Sequence, residues 1–189
     1  MSGADWPVPL AGVTESIVTT LGPNDRWNVA ALGLHAGDPV TATTWGRTRT
    51  WRNFRERGSG YVQFSPDPVD FAEAAMTVRE ADDPILDSAD AWVEVSVDRI
   101  EAGEDGGTQW VEWALHPVES AVDRTGVRTT NRAYYAVIEA TVAASRLGVD
   151  AYDQPALRER LAFFEGVVQK CGGDRHREAM AVVADNAEW

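Results

Sequence analysis

Apolar and polar positions run with a period close to two through the first two thirds of the chain and then change to helical spacing. Residues 13–20 (Val-Thr-Glu-Ser-Ile-Val-Thr-Thr) are β-branched and partly alternating, which predicts a strand. A turn cluster, Leu21-Gly22-Pro23-Asn24-Asp25-Arg26, leads into a second strand over Trp27–His35, so the two form a hairpin. A further turn at Ala36-Gly37-Asp38 precedes a strand near Val40–Trp45, and residues 61–64 read as a short strand. Residues 91–102 and 108–119 are longer strands joined by a glycine-rich turn. Their apolar sets, Trp92, Val93, Val95 and Val97 against Trp110, Val111, Trp113 and Leu115, suit a half-buried hairpin. Between these groups, Asp67 as cap and Pro68 at the first position predict a helix running through Phe71 to Met76.

After Pro117 the pattern changes. Thr130-Asn131-Arg132 opens a helix with Ala133, Val137, Ile138, Thr141, Val142 and Ser145 on one face, and Gly148 ends it. Asp153 and Pro155 start a second helix carrying Leu157, Leu161, Phe164, Val167 and Val168. Gly172-Gly173 breaks it, and Asp174 begins a third. Strands followed by helices predict an α+β protein or a β-barrel with a helical appendage, divided into residues 1–128 and a helical segment, 129–189.

Composition narrows the setting. The chain has 189 residues, enough for one substantial core, and 44% of them are hydrophobic. Its net charge is −13, and only one of its 17 basic residues, Lys170, is a lysine. Acidity with almost no lysine suits a salt-adapted protein, as from a halophilic archaeon; a GC-rich genome favouring arginine codons is the alternative. No apolar run reaches the ~18 residues that span a bilayer. Met1-Ser2-Gly3-Ala4-Asp5 lacks the features of a signal peptide. The single Cys171 excludes an intramolecular disulfide. The expected location is the cytoplasm, without a membrane or nucleic-acid partner.

Against this acidity, five arginines and one acid fall within eleven residues, Arg47-Thr48-Arg49-Thr50-Trp51-Arg52-Asn53-Phe54-Arg55-Glu56-Arg57. Guanidinium groups bind phosphate bidentately, and Thr or Asn adds neutral hydrogen bonds. Arg47, Thr48, Arg49, Thr50 and Asn53 are therefore candidate phosphate ligands, with Thr48 or Thr50 as the cap of a short helix whose amides face an anion. The competing reading is a solvated face, which fits Arg55 and Arg57 better. A nucleic-acid module reading the same window requires a wider positive field than this chain offers. Thr19, Thr20 and Asn28 lie on facing arms of the first hairpin. The small run Val29-Ala30-Ala31 that follows either lets a flat aromatic ligand lie against backbone or leaves room for a neighbouring tryptophan. Asn131 and Arg132, at a helix start where a cation is electrostatically misplaced, form a third group; Arg132 either shares an anion with that helix end or pairs with a carboxylate. His35, His116 and His176 share no zinc-ligand spacing, no phosphate-binding glycine loop occurs, and neither serine nor cysteine carries a nucleophile motif.

The order Glu15-Ser16-Ile17-Val18-Thr19-Thr20, Asn28-Val29-Ala30-Ala31-Leu32-Gly33 and Gly46-Arg47-Thr48-Arg49-Thr50-Trp51-Arg52-Asn53 resembles the FMN-binding split-barrel superfamily of flavin reductase-like proteins. With Asn131-Arg132-Ala133 and Val137-Ile138-Glu139-Ala140 added, it is similar to an uncharacterised, mostly archaeal family of that superfamily. The resemblance spans roughly residues 13 to 150. It implies a six-stranded antiparallel Greek-key split barrel that dimerises, with FMN near the subunit interface. The arginine loop would hold the phosphate; Asn28, Val29, Ala30 and Ala31 would lie beside the isoalloxazine, with Thr19 and Thr20 close by and Asn131 and Arg132 assigned to the same cofactor. Where flavin reductases often continue this strand motif with proline, Ala31 stands here. The function implied is an FMN-dependent oxidoreductase, with NAD(P)H or another reductant as electron donor. A flavin carrier or sensor that reduces nothing is the alternative, and an anion- or nucleic-acid-binding module without cofactor the second.

Overall fold

The computed structural model describes residues 4–187 and 189; Met1-Ser2-Gly3, part of the segment read for a signal peptide, lies outside the described residues. The chain divides into two compact units. Met1–Pro66 with Arg79–Thr125 form one, and Asp67–Val78 with Gly126–Trp189 form the other.

The first unit is an antiparallel barrel. Its strands are β1 (Val13–Leu21), β2 (Trp27–His35), β3 (Val40–Trp45), β4 (Ser59–Phe64), β5 (Arg79–Ala81), β6 (Ala91–Asp105) and β7 (Thr108–Val122), with helix α1 (Arg49–Arg57) between β3 and β4. The order β1-β4-β6-β7-β3-β2 closes through the pairing of β1 with β2, giving six strands, and β5 adds to β2. Closure satisfies the backbone groups that an open sheet would leave at its edges. One seam is only partly zipped. The β3 ladder reaches Leu34 and His35 of β2, the β5 ladder covers Trp27, Asn28 and Val29, and residues 30–33 lie between the two ladders.

Alternation fills the interior. Ala91, Val93, Val95 and Val97 of β6 are buried at every second position, joined by Val18, Leu32, Leu34, Val62, Val111 and Leu115. Phe54 of α1 belongs to this core and meets Trp113 edge-on, ring centres 5.5 Å apart. Gly60 makes that approach possible: a Cβ there would sit 2.9 Å from the Thr19 carbonyl oxygen and 3.2 Å from the Phe54 ring. The two long strands extend past their expected ends, to Asp105 and Val122, with register shifts between Glu94 and Val95 and between Arg99 and Glu101. β5 was not foreseen, because three residues are too few to carry a period.

The second unit is helical: α2 (Pro68–Met76), α3 (Arg132–Ala144), α4 (Gln154–Cys171) and α5 (Asp174–Asn186). Small residues (Ala72, Ala133, Ala136, Ala140, Ala179) share its core with Val137, Leu157, Leu161, Val168 and Val183. The expected division at residue 128 does not include α2, which packs with this unit although its sequence lies within the barrel's. Asp67 ties α2 in place. Its carboxylate accepts the amides of Val69 and Asp70 at the helix start and binds Arg175 of α5 at 2.7 Å. Burial opposes ionisation of Asp67, yet the hydrogen bonds from Arg175, Val69 and Asp70 outweigh it and hold its pKa below the usual aspartate value. No helix among the described residues is long and apolar enough to cross a membrane.

Two stability predictions follow from these contacts. Gln63, fully buried, donates to the Thr19 hydroxyl (3.1 Å) and the Pro84 carbonyl (2.9 Å) and accepts from the Leu86 amide (2.7 Å). Gln63→Leu strips partners from buried polar groups and is expected to cost about 1–3 kcal/mol, read from denaturant midpoints. The lowered Asp67 pKa contributes stability that is complete above the unfolded value of about 3.9 and is lost as the pH falls through the folded value. Asp67→Asn should therefore cost about 1 kcal/mol at neutral pH and flatten the acid limb of the helical unit's stability profile, followed by far-UV circular dichroism.

Candidate functional site: the entry of helix α1

The arginine window folds as the end of β3, a turn at Gly46 and the nine-residue helix α1. Thr48 is the cap: its backbone is extended, and its hydroxyl accepts the Trp51 amide at 3.2 Å. The first turn contains no acid, and Arg49 stands there against the helix dipole. A helix leaves its first amides without intrahelical partners, and Thr48 takes only one of them. The entry of α1 thus gathers amide donors, a hydroxyl and guanidinium groups, a donor set suited to a phosphate dianion.

The flanking arginines are held apart by different partners. Arg47 donates from Nε to Gln109 Oε1 on β7 at 3.3 Å, a neutral contact. Arg49 pairs with Glu80 of β5 at 2.6 Å. Glu80 also accepts from Asn24 at 3.2 Å and lies 3.6 Å from Arg26, so one carboxylate organises the β1–β2 turn, β5 and the start of α1. Arg52 donates twice to Asn53 Oδ1, both at 3.2 Å.

Beneath the exposed loop is a buried polar layer. Asn53, 1% exposed, donates to the Thr20 carbonyl at 3.2 Å and to the Thr20 hydroxyl at 3.0 Å. Asn28 donates to the Thr50 hydroxyl at 3.3 Å. The Thr19 hydroxyl donates to the Pro84 carbonyl and accepts from Gln63. Thr19 and Thr20 have no exposed surface, and Asn28 and Thr50 are also buried. Among the described residues no buried side-chain nitrogen or oxygen lacks a partner. Along β2, Val29 is buried, whereas Ala30 and Ala31, in the unzipped stretch of the seam, are half-buried.

The structure therefore gathers Thr20 with Asn53 and Asn28 with Thr50, around the helix whose entry carries Arg47, Thr48 and Arg49. Asn131 and Arg132 belong to the helical unit. Asn131 caps α3 by accepting the Ala133 amide at 2.9 Å, and Arg132 donates to Cys171 Sγ at 3.1 Å. Sequence reasoning missed Glu80, Gln109 and Gln63. Glu80 stands opposite Asn28 in register, a signal readable only once β5 is known. Among the described residues no three His, Cys, Asp or Glu side chains are grouped to hold a metal ion.

Comparison with known proteins adds two kinds of likeness. The family models described as "Protein of unknown function (DUF447) N-terminal domain" and "Protein of unknown function (DUF447)" match residues 14–124 and 131–185. The crystal structure of an FMN-bound protein of that family from Methanosarcina mazei superposes with a TM-score of 0.77 at 22% identity, covering 93% of this chain and 95% of that one. That match bears out the split-barrel α+β fold. Nitrilotriacetate monooxygenase component B from Bacillus cereus overlaps at a TM-score of 0.43 and 16% identity, over 60% of this chain and 71% of its own. The styrene monooxygenase flavin reductase from Pseudomonas putida S12 overlaps at 0.43 and 14%, over 61% and 83%.

Proposed function

The chain belongs to the DUF447 family of proteins of unknown function, and from that premise we propose that the entry of α1 is the phosphate end of a flavin mononucleotide site. The observation that carries this reading is the acid-free first turn of α1, flanked by Arg47 and Arg49 in a protein of net charge −13. The FMN held by the Methanosarcina mazei member supports it.

The expected site residues divide into two roles. Arg47, Thr48 and Arg49 contact the phosphate, together with the free amides of the first turn. Ala30 and Ala31 offer a low wall for the ring in the unzipped seam, where a larger side chain would hold a flat ligand off the backbone. Thr19, Thr20, Asn28, Thr50 and Asn53 support that arrangement from below, since their polar groups already bond to one another and to Gln63 and Pro84. Val29 anchors β2 in the core. We assign Asn131 and Arg132 a structural part in the helical unit, as cap and as partner of Cys171.

When bound, the flavin supplies electron or hydride transfer. The chain's own task is to anchor the phosphate, keep the ring against β2 and limit water at its edge. The reading extends to a homodimer with the flavin near the subunit interface and to NAD(P)H as electron donor. A flavin carrier without reductase activity is the alternative.

FMN titrated into the protein, followed by its visible absorbance and fluorescence, is expected to saturate near one per chain. Arg47→Ala and Arg49→Ala should each weaken it about tenfold or more, the scale of a charge-assisted hydrogen bond. Glu80→Gln should act in the opposite direction, tightening FMN by up to about fivefold as Arg49 loses its competing partner. Failure to bind FMN, or unchanged affinity in both arginine variants, places the site elsewhere. NADPH or NADH oxidation by the FMN-loaded protein separates the two functions: turnover makes it a reductase, and binding without turnover makes it a carrier.

A further inference from the structure

The flavin reading leaves the outer face of α1 unused. Trp51 and Arg55 are one turn apart there, and the Arg55 guanidinium carbon lies 4.5 Å from the Trp51 ring centre. Between this face and the far end of the β6–β7 hairpin is a cleft of about 460 Å³, lined among others by Arg47, Arg55, Arg99, Trp51 and Trp110. A volume of that order suits a small-molecule ligand, for which ~300–1,000 Å³ is usual.

Two features show how the hairpin shapes this cleft. Gly103 stands opposite Trp110 in register, and a Cβ at 103 would lie 2.6 Å from Trp110 Cζ2. Any larger residue would lift the indole off β6, so the glycine lets the ring lie close against the strand. The register shift between Arg99 and Glu101 is the second, since a bulge re-aims the side chains beside it.

The charge is equally specific. Three arginines line the cleft against one acid, Glu104. Arg47 bonds to a neutral amide, Arg55 to its exposed neighbour Glu56, and Arg99 has no carboxylate partner among the described residues. Guanidinium groups grip phosphate, and indole faces stack on planar bases. We propose that this cleft binds a nucleoside phosphate, with its base against Trp51 or Trp110 and its phosphates on Arg55 and Arg99.

The cleft adjoins the proposed flavin phosphate end, because Arg47 lines both, so the test uses Arg55 and Arg99, neither of which is assigned to FMN. Adenosine diphosphate is titrated into the full chain, alone and with FMN saturating, by calorimetry and tryptophan fluorescence. One saturable site that quenches tryptophan and persists in the presence of FMN is expected. Arg99→Ala and Arg55→Ala should each weaken adenosine diphosphate about tenfold while leaving FMN affinity unchanged, and inorganic pyrophosphate should bind more weakly than the nucleotide. The proposal is overturned by no binding of adenosine diphosphate, by wild-type affinity in both variants, or by pyrophosphate binding as tightly as the nucleotide. Displacement by FMN overturns it as well, because the cleft would then belong to the flavin.

Discussion

The placement of α1 on the barrel, and with it the arginine loop, depends on the buried contact between Asn53 of α1 and Thr20 of β1. Asn53 reaches both the carbonyl and the hydroxyl of Thr20, and one residue later Phe54 enters the barrel core against Trp113. A polar and an apolar anchor on adjacent residues fix both the rotation and the depth of a nine-residue helix. Such a helix would be marginal alone, since isolated helices need roughly 12–15 residues to persist. Thr50, bonded from Asn28, adds a third point one turn earlier. With these three residues placed, the direction of the first-turn amides and the starting points of Arg47 and Arg49 are set by the barrel rather than by the loop.

Charge then decides how that loop behaves. Arginines crowded at a helix entry repel one another and oppose the helix dipole, so the fold must compensate for them. It does so unequally: Arg49 receives a full carboxylate from Glu80, Arg47 only a neutral amide. The Arg49–Glu80 pair is partly exposed, with side-chain exposures of 43% and 27%, so water screens it and an arriving dianion can compete for the guanidinium. A fully buried pair would have been harder to open, because separating it strands a charge away from water. The loop thus keeps its arginines ordered without committing them.

Much of this was legible in the chain, and what was missed has physical reasons. The first hairpin, the β6–β7 hairpin, the Asp67 cap and the three late helices are carried by local period and capping chemistry, which sequence records directly. Thr48 as the α1 cap was one of two candidates, and the structure selects it. The side to which α2 belongs was not legible, because that depends on Arg175 reaching Asp67 from a residue more than a hundred positions away. Nor did the sequence show which of the candidate hydroxyls are buried. Thr19 and Thr20 look like ligand residues in a string of hydroxyls, and only the burial of both and their bonds to Pro84, Gln63 and Asn53 place them beneath the surface.

The same distinction bears on chemistry. His116 lies 3.3 Å from Asp98 with both side chains exposed, Asp98 the more so, and water reaches both. Buried polarity in the barrel is spent on connecting strands and helix: Trp113 to Thr44, Ser16 to the Leu32 carbonyl, Gln63 to the segment before β6. Such a barrel ties its strands and helix together through buried polar groups and leaves one seam, at residues 30–33, without a β3 or β5 ladder. On the flavin reading, buried polar support under a charged helix entry, beside a strand of small side chains with incomplete ladders, would hold the ligand in a fixed pose. Reactivity in such a site would come from what is held there, and the protein's contribution is the pose itself.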